Sequence, residues 1–263
     1  MELKKLKAKD STSTVAYIDS GEGKPIVLLH GFCGSSSYWE FVIPTLSADY
    51  RVIAPDLPGH GQSEPLQGTS TIENMADQVK HLLDALNLPE VTMFGHSLGG
   101  YITLAFAEKY GGQLNGYSLI HSTAFPDSEE AKQARAANIE KVNRSGIYSL
   151  IDGLVPKLFS QENQDENFVG TAMEIGYATS AEGAIDALHA MKDRPDRNRV
   201  LESSTLPVLL VAGEQDQIIP AEKTFSVSRA NIKQSIIKDS GHMSMFENPM
   251  ELISEIQAFL ATL

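Results

Sequence analysis

The chain has 263 residues, 42% of them hydrophobic and 21% charged, so it can bury the core of one large domain or two small ones, and its composition excludes a disordered chain. Its 34 acidic residues against 21 basic ones give a net charge of −13, which argues against nucleic acid and anionic membrane surfaces as partners. A single cysteine, Cys33, excludes an intramolecular disulfide and a cysteine-based metal centre.

Residues 1–10 alternate lysine with leucine without a continuous apolar run, and no later segment is long enough to span a bilayer, so a cytoplasmic protein is expected. Residues 15–18 read as a strand, 19–23 as a glycine-containing turn and 25–29 as a buried strand, together an opening hairpin. The segment His30-Gly31-Phe32-Cys33-Gly34-Ser35 follows directly, and its glycines allow the backbone to approach a ligand closely. Residues 51–54 form the next strand, and 70–88 a helix with Ile72, Met75, Val79, Leu82, Leu83 and Leu86 on one side.

The run Val91-Thr92-Met93-Phe94 is a short strand, and Gly95-His96-Ser97-Leu98-Gly99 closes it with a G-x-S-x-G turn into a helix that stops at Gly111-Gly112. Such a turn holds its serine at the tip of a strained backbone, with glycines where a side chain would strike the flanking strand or helix. Ser97 is therefore the candidate nucleophile. The plainer reading, a serine capping the helix, explains neither the paired glycines nor the strand before it.

Residues 117–120 resume the strands, which then vanish over 124–203. There Asp127 with Glu130 resembles a capping box opening a helix through 142. A stripe of Ile147, Leu150, Ile151, Leu154 and Leu158 predicts a second helix, and Ala184, Ile185, Leu188 and Met191 a third. An all-helical stretch between sheet strands is expected to overhang the ligand crevice as a cap, with 1–123 and 204–263 forming the core. Its arginines, Arg135, Arg144, Arg194, Arg197 and Arg199, either meet an anionic substrate or are solvated and paired with the surplus acids. Strands return at 206–211 and 235–237. The alternation as a whole argues for a mostly parallel central sheet with helices on both faces.

A serine hydroxyl needs a base, and the base needs a group that fixes its tautomer. His242, in Asp239-Ser240-Gly241-His242 after the last strand, is the candidate base. Asp216, in Gly213-Glu214-Gln215-Asp216 after the preceding strand, is favoured over Glu214 as the acid. The backbone amides of Phe32 and Leu98 are the expected oxyanion donors. His30, His96 and His121 are expected near the substrate pocket or supporting its loops. Cys33 is either a thiol whose alkylation would distort the Phe32 amide or a small buried residue.

The segments Leu29-His30-Gly31, Asp56-Leu57-Pro58-Gly59-His60-Gly61-Gln62-Ser63, Gly95 to Gly100, Gly213 to Asp216 and Gly241-His242 occur in the order found in the α/β-hydrolase fold family, and the chain resembles its branch with a short helical cap. The resemblance implies cleavage of a carboxylic ester of a small molecule through an acyl-enzyme on Ser97, with no metal or organic cofactor. Serine at the elbow, where related dehalogenases and epoxide hydrolases carry aspartate, speaks against those two activities. Thioester, lactone or carbon–carbon bond hydrolysis and a menaquinone-pathway lyase share the same triad, and some family members act as ligand receptors in signalling.

Overall fold

The computed structural model describes residues 2–7, 13–162 and 164–263. Its strands are β1 (Leu3–Leu6), β2 (Val15–Ser20), β3 (Pro25–Leu29), β4 (Arg51–Pro55), β5 (Val91–His96), β6 (Leu114–Ile120), β7 (Val208–Gly213) and β8 (Ile232–Ile237). They form one eight-stranded sheet in the order β1-β2-β4-β3-β5-β6-β7-β8. β2 pairs antiparallel with both β1 and β4, and the remaining pairs are parallel. Every residue of β5 and β7 is buried, as expected for central strands covered on both faces.

The helices, in chain order, are α1 (Ile43–Leu46), α2 (Ile72–Ala85), α3 (Leu98–Tyr110), α4 (Glu129–Leu154), α5 (Glu166–Tyr177), α6 (Ala181–Lys192), α7 (Asn198–Ser203), α8 (Ala221–Thr224), α9 (Ser244–Glu247) and α10 (Pro249–Leu260). Successive side chains of a strand point to opposite faces. Gly95 of β5 abuts Gly99 and Thr103 of α3, whereas its neighbour Phe94 meets Phe259 of α10 with ring centroids 6.1 Å apart. Hence α3 and α10 cover opposite faces of the sheet.

The expected opening hairpin does not form. β2 pairs with β1 and β4, and β3 lies between β4 and β5. The turn after β2 passes over the chain leading into β4: at Gly23 (φ 102°), a side chain would come 3.0 Å from the Asp49 carbonyl. This close crossing carries β3 past β4 to its place in the parallel ladder. β1 falls in the lysine–leucine stretch, as a half-exposed edge strand.

Between β6 and β7 the described chain has no strand and passes through α4 to α7. Two expectations there are corrected. Ser128, not Asp127, caps α4, its hydroxyl accepting from the Ala131 N–H at 3.3 Å, because the Asp127 carboxylate is taken up by Arg135 and Arg194. The helices expected up to 142 and from 147 are two arms of α4, kinked at Gly146 (φ 75°), a conformation L side chains avoid. Helix α5 had no expected counterpart. Helix α6 sits on the core through a glycine pair: Gly183 lies directly on Gly59, and the Ser180 N–H and hydroxyl both donate to the Gly59 carbonyl, at 3.2 and 3.1 Å.

Candidate active site

The G-x-S-x-G turn joins β5 to α3, and its backbone is strained at the serine, where φ is 50° and ψ −112°. A side chain in such a sparsely populated region costs on the order of 1–3 kcal/mol and persists only when its surroundings impose it. They do so here. The Ser97 N–H donates to the Ile120 carbonyl at 3.0 Å, and its carbonyl accepts from the Ser122 hydroxyl at 2.7 Å. A side chain on Gly99 would come 2.5 Å from the Leu29 carbonyl, so only glycine lets α3 sit this close to β3. Although Ser97 occupies the N-cap position, its hydroxyl makes no capping bond, and it lines a cavity of about 450 Å³ instead.

His242 lines the same cavity. Its Nδ1–H donates to Asp216 Oδ2 at 2.8 Å, which leaves Nε2 with the lone pair a general base requires. Asp216 is buried, and its other oxygen accepts from the N–H groups of Ile218 and Ile219 at 2.8 and 3.0 Å. It is thus both a turn-forming aspartate and the partner of the histidine. Burial alone would raise its pKa, but the charge of a protonated His242, the His121 imidazole close by and the hydrogen bond from His242 outweigh that and hold the carboxyl well below the usual range.

The loop after β3 reaches Ser97 from the other side. A side chain on Gly31 would lie 2.6 Å from Nδ1 of His96 and 3.2 Å from Cβ of Ser97. Among the described residues, the N–H groups of Phe32 and Leu98 donate to no protein acceptor. Replacing Gly31 by alanine should therefore displace the loop and lower kcat for a short ester at least tenfold, roughly the scale set by losing or misplacing one oxyanion donor. Steady-state kinetics on a variant of unchanged melting temperature would check this, and a wild-type kcat would rule it out.

The three other candidate histidines divide. His96 lines the cavity, and its Nε2–H donates to the His242 carbonyl at 2.9 Å. Burial first, then the charges of His242 and His121, push its pKa well below the ordinary value. His30 and His121 do not line the cavity and act as braces. His30 Nδ1 donates to the Gly31 carbonyl and its Nε2 accepts the Leu57 N–H, both at 2.8 Å, tying the two loops after β3 and β4 together. His121 stands behind Asp216, with Nε2 2.7 Å from the Ser244 hydroxyl and Nδ1 3.3 Å from Asp216 Oδ2. Cys33 is fully buried, which pushes its thiol pKa up and leaves no exposed thiolate.

Two carboxylates were given no role by the sequence reading because they act on backbone N–H groups. Glu247 accepts from the N–H groups of Gly241 and Met243 at 3.0 and 3.1 Å and from Ser160 at 2.7 Å, shaping the loop that carries His242. Asp56 accepts from the N–H groups of Ser36 and Gln62 at 2.7 and 2.9 Å. His121, Asp216 and His242 are the one group among the described residues whose donor atoms, all within 4.8 Å of one another, could hold a metal ion. The hydrogen bond between His242 and Asp216 already occupies that set. A larger cleft of about 710 Å³ beside Gly111, Arg197 and Leu206 contains none of the candidate catalytic residues.

A mostly parallel sheet with a strained serine elbow at its centre defines an α/β hydrolase. The comparisons agree: residues 24–151 match the alpha/beta hydrolase fold family. A thermophilic esterase from Thermogutta terrifontis, solved with malate bound, is 30% identical, with a TM-score of 0.93 over 100% of this chain and 99% of that one. The chain is 26% identical to 3-oxoadipate enol-lactonase 1 of Acinetobacter baylyi, over 94% of its own length and 92% of that enzyme. It is 28% identical to the dihydrolipoyllysine-residue acetyltransferase component of the acetoin cleaving system of Pseudomonas putida over 90% of its length, but spans only 64% of that protein. The chain belongs to the α/β-hydrolase fold family, in its esterase-like branch. No helix among the described residues is long and apolar enough to cross a membrane.

Proposed function

We propose that the protein is a serine hydrolase that cleaves a carboxylic ester of a small molecule through an acyl-enzyme on Ser97. The observation that carries this reading is one cavity lined by an uncapped serine at a strained elbow and by a histidine whose far nitrogen is bonded to a buried aspartate. His242 Nε2 takes the hydroxyl proton as Ser97 Oγ bonds to the ester carbonyl carbon. The N–H groups of Phe32 and Leu98 stabilise the oxyanion, and Asp216 holds the imidazole in the right tautomer and supports its positive form. Collapse of the intermediate expels the alcohol, which takes the proton from His242. Water, deprotonated by His242, then attacks the acyl-enzyme and releases the acid. A lactone, being an internal ester, passes through the same steps with its alcohol still attached.

Residues 124–203 form a helical cap over the core made by 1–123 and 204–263. Leu154, Leu158 and Met191 of that stretch line the same cavity as Ser97, which supports this division. The volume of about 450 Å³ suits a small acyl substrate.

The reading is tested by stoichiometric labelling with a fluorophosphonate followed by peptide mass spectrometry. One phosphonyl group per chain on the Ser97 peptide, with turnover lost in proportion, is the expected result. Full labelling at another residue, with Ser97 unmodified and activity lost, would remove Ser97 as the nucleophile.

A further inference from the structure

The cavity at Ser97 has a charge pattern that acyl transfer itself does not use. In a chain of net charge −13, the formally charged side chains on its wall are Arg135, Arg194, Lys223 and a single carboxylate, Asp127. Asp127 serves two guanidinium groups, accepting from Arg194 Nη1 at 2.6 Å and from Arg135 Nε at 3.1 Å. Arg194 is otherwise committed: it donates to the carbonyls of Met191 and Phe125 at 2.8 and 3.2 Å, and its Cζ lies 4.0 Å from the centre of the Tyr101 ring.

Arg135 is different. Among the described residues only its Nε is engaged, which leaves both terminal nitrogens open on a side chain that is 24% exposed. Lys223, on α8, is exposed and has no acidic partner among the described residues. The wall therefore carries a surplus of two positive charges. Much of its remaining surface is apolar, with Leu154, Leu158, Ile218 and Ile219 among the lining side chains.

We infer that Arg135 and Lys223 form a subsite for a carboxylate carried on the acyl part of the substrate, away from the bond that Ser97 attacks. The inference rests on the ester-hydrolase reading above and narrows its substrate class to half-esters of dicarboxylic acids and lactones bearing a free carboxylate. A guanidinium with two open nitrogens matches the fork of a carboxylate, and such charge-assisted pairs are strong where water is partly excluded. The ammonium of Lys223 adds attraction without demanding one geometry, and the apolar wall accommodates a methylene spacer. Asp127, already shared by two arginines, orients Arg135 without cancelling the surplus.

The test compares para-nitrophenyl half-esters of the dicarboxylic acids from succinate to suberate with the same compounds methylated at the free carboxylate. Wild-type kcat/KM should favour the charged member of at least one pair by about tenfold or more, the scale of one well-placed ion pair. Arg135→Met and, separately, the exposed Lys223→Met should each lower that charged-to-neutral ratio at least severalfold, mainly through KM. Calorimetric titration of Ser97→Ala protein with monomethyl and dimethyl esters of the best acid reads binding without turnover. Tighter binding of the monoanion, weakened in Ser97→Ala/Arg135→Met, supports the subsite even if no ester is cleaved, an outcome that would sink the hydrolase reading alone. Brisk cleavage with neutral esters preferred throughout, or an unchanged ratio in both variants, overturns the subsite and leaves the hydrolase reading standing.

Discussion

Ser97→Ala should leave no more than about a thousandth of wild-type kcat/KM on a short para-nitrophenyl ester, while melting within a few degrees of the parent. The rate falls because the variant has no oxygen to form the acyl-enzyme, and the oxyanion amides and the cavity can assist only a direct attack by water. Stability is expected to hold because the bonds that impose the turn come from the Ser97 backbone, to Ile120 and from Ser122, and the hydroxyl caps nothing. Alanine meets the same left-handed φ that serine does. His242→Ala should lose a similar factor, and the double variant little more, since the two groups act as one unit. Activity in a tag-purified Ser97→Ala preparation, free of host esterases, that came within tenfold of the wild type would end the assignment.

A second large effect concerns acid. His30, His60, His96 and His121 are all buried, and burial is the leading cause that lowers the pKa of each below its ordinary value, to about 3 for His30. The unfolded chain takes up a proton on each near pH 6.5, where the folded protein does not. Stability from these groups is complete above that pH and is lost as pH falls toward the folded values. For His30 the loss between pH 7.5 and 5.5 is on the order of 1 kcal/mol, and the other three act in the same direction. Asp216 works lower down: its depressed pKa contributes stability that is present above about 3.9 and lost in stronger acid. The urea midpoint should therefore drop steeply between pH 7.5 and 5.5. Equal midpoints at the two values would show that the imidazoles titrate freely in the folded state.

The parts of the site that chemistry spells out locally were legible in the sequence. An elbow needs its glycines within two residues of the serine, and an acid and base are expected just after later strands, so Ser97, Asp216 and His242 could be named as candidates, and the structure sets Ser97 and His242 on one cavity wall with Asp216 bonded to His242. Pairing between strands is a different matter. Residues 15–18 and 25–29 look like neighbours in sequence, yet β4 (Arg51–Pro55) enters between them from further along the chain, and nothing local announces it. Carboxylates that serve backbone N–H groups, such as Glu247 and Asp56, leave no side-chain partner to search for. His30 and His121 were recognisable as strand-end histidines, but whether they faced the cavity or braced it depended on loops distant in sequence. The arginines of 124–203 were likewise open to two readings: Arg197 pairs with Glu73 and Glu108, as the plainer reading has it, whereas Arg135 keeps its two terminal nitrogens uncommitted.

The seat of Gly183 on Gly59 also bears on how such a protein can diversify. The two residues lie more than a hundred positions apart, and a side chain on either would strike the backbone of the other. Neither can be replaced without lifting α6 from the loop after β4, so each position requires glycine while the two segments stay packed this closely. A chimera that takes residues 124–203 from another parent must bring a residue at position 183 that tolerates this contact, or exchange the loop at Gly59 with it. The block to exchange is then the helical stretch together with that loop.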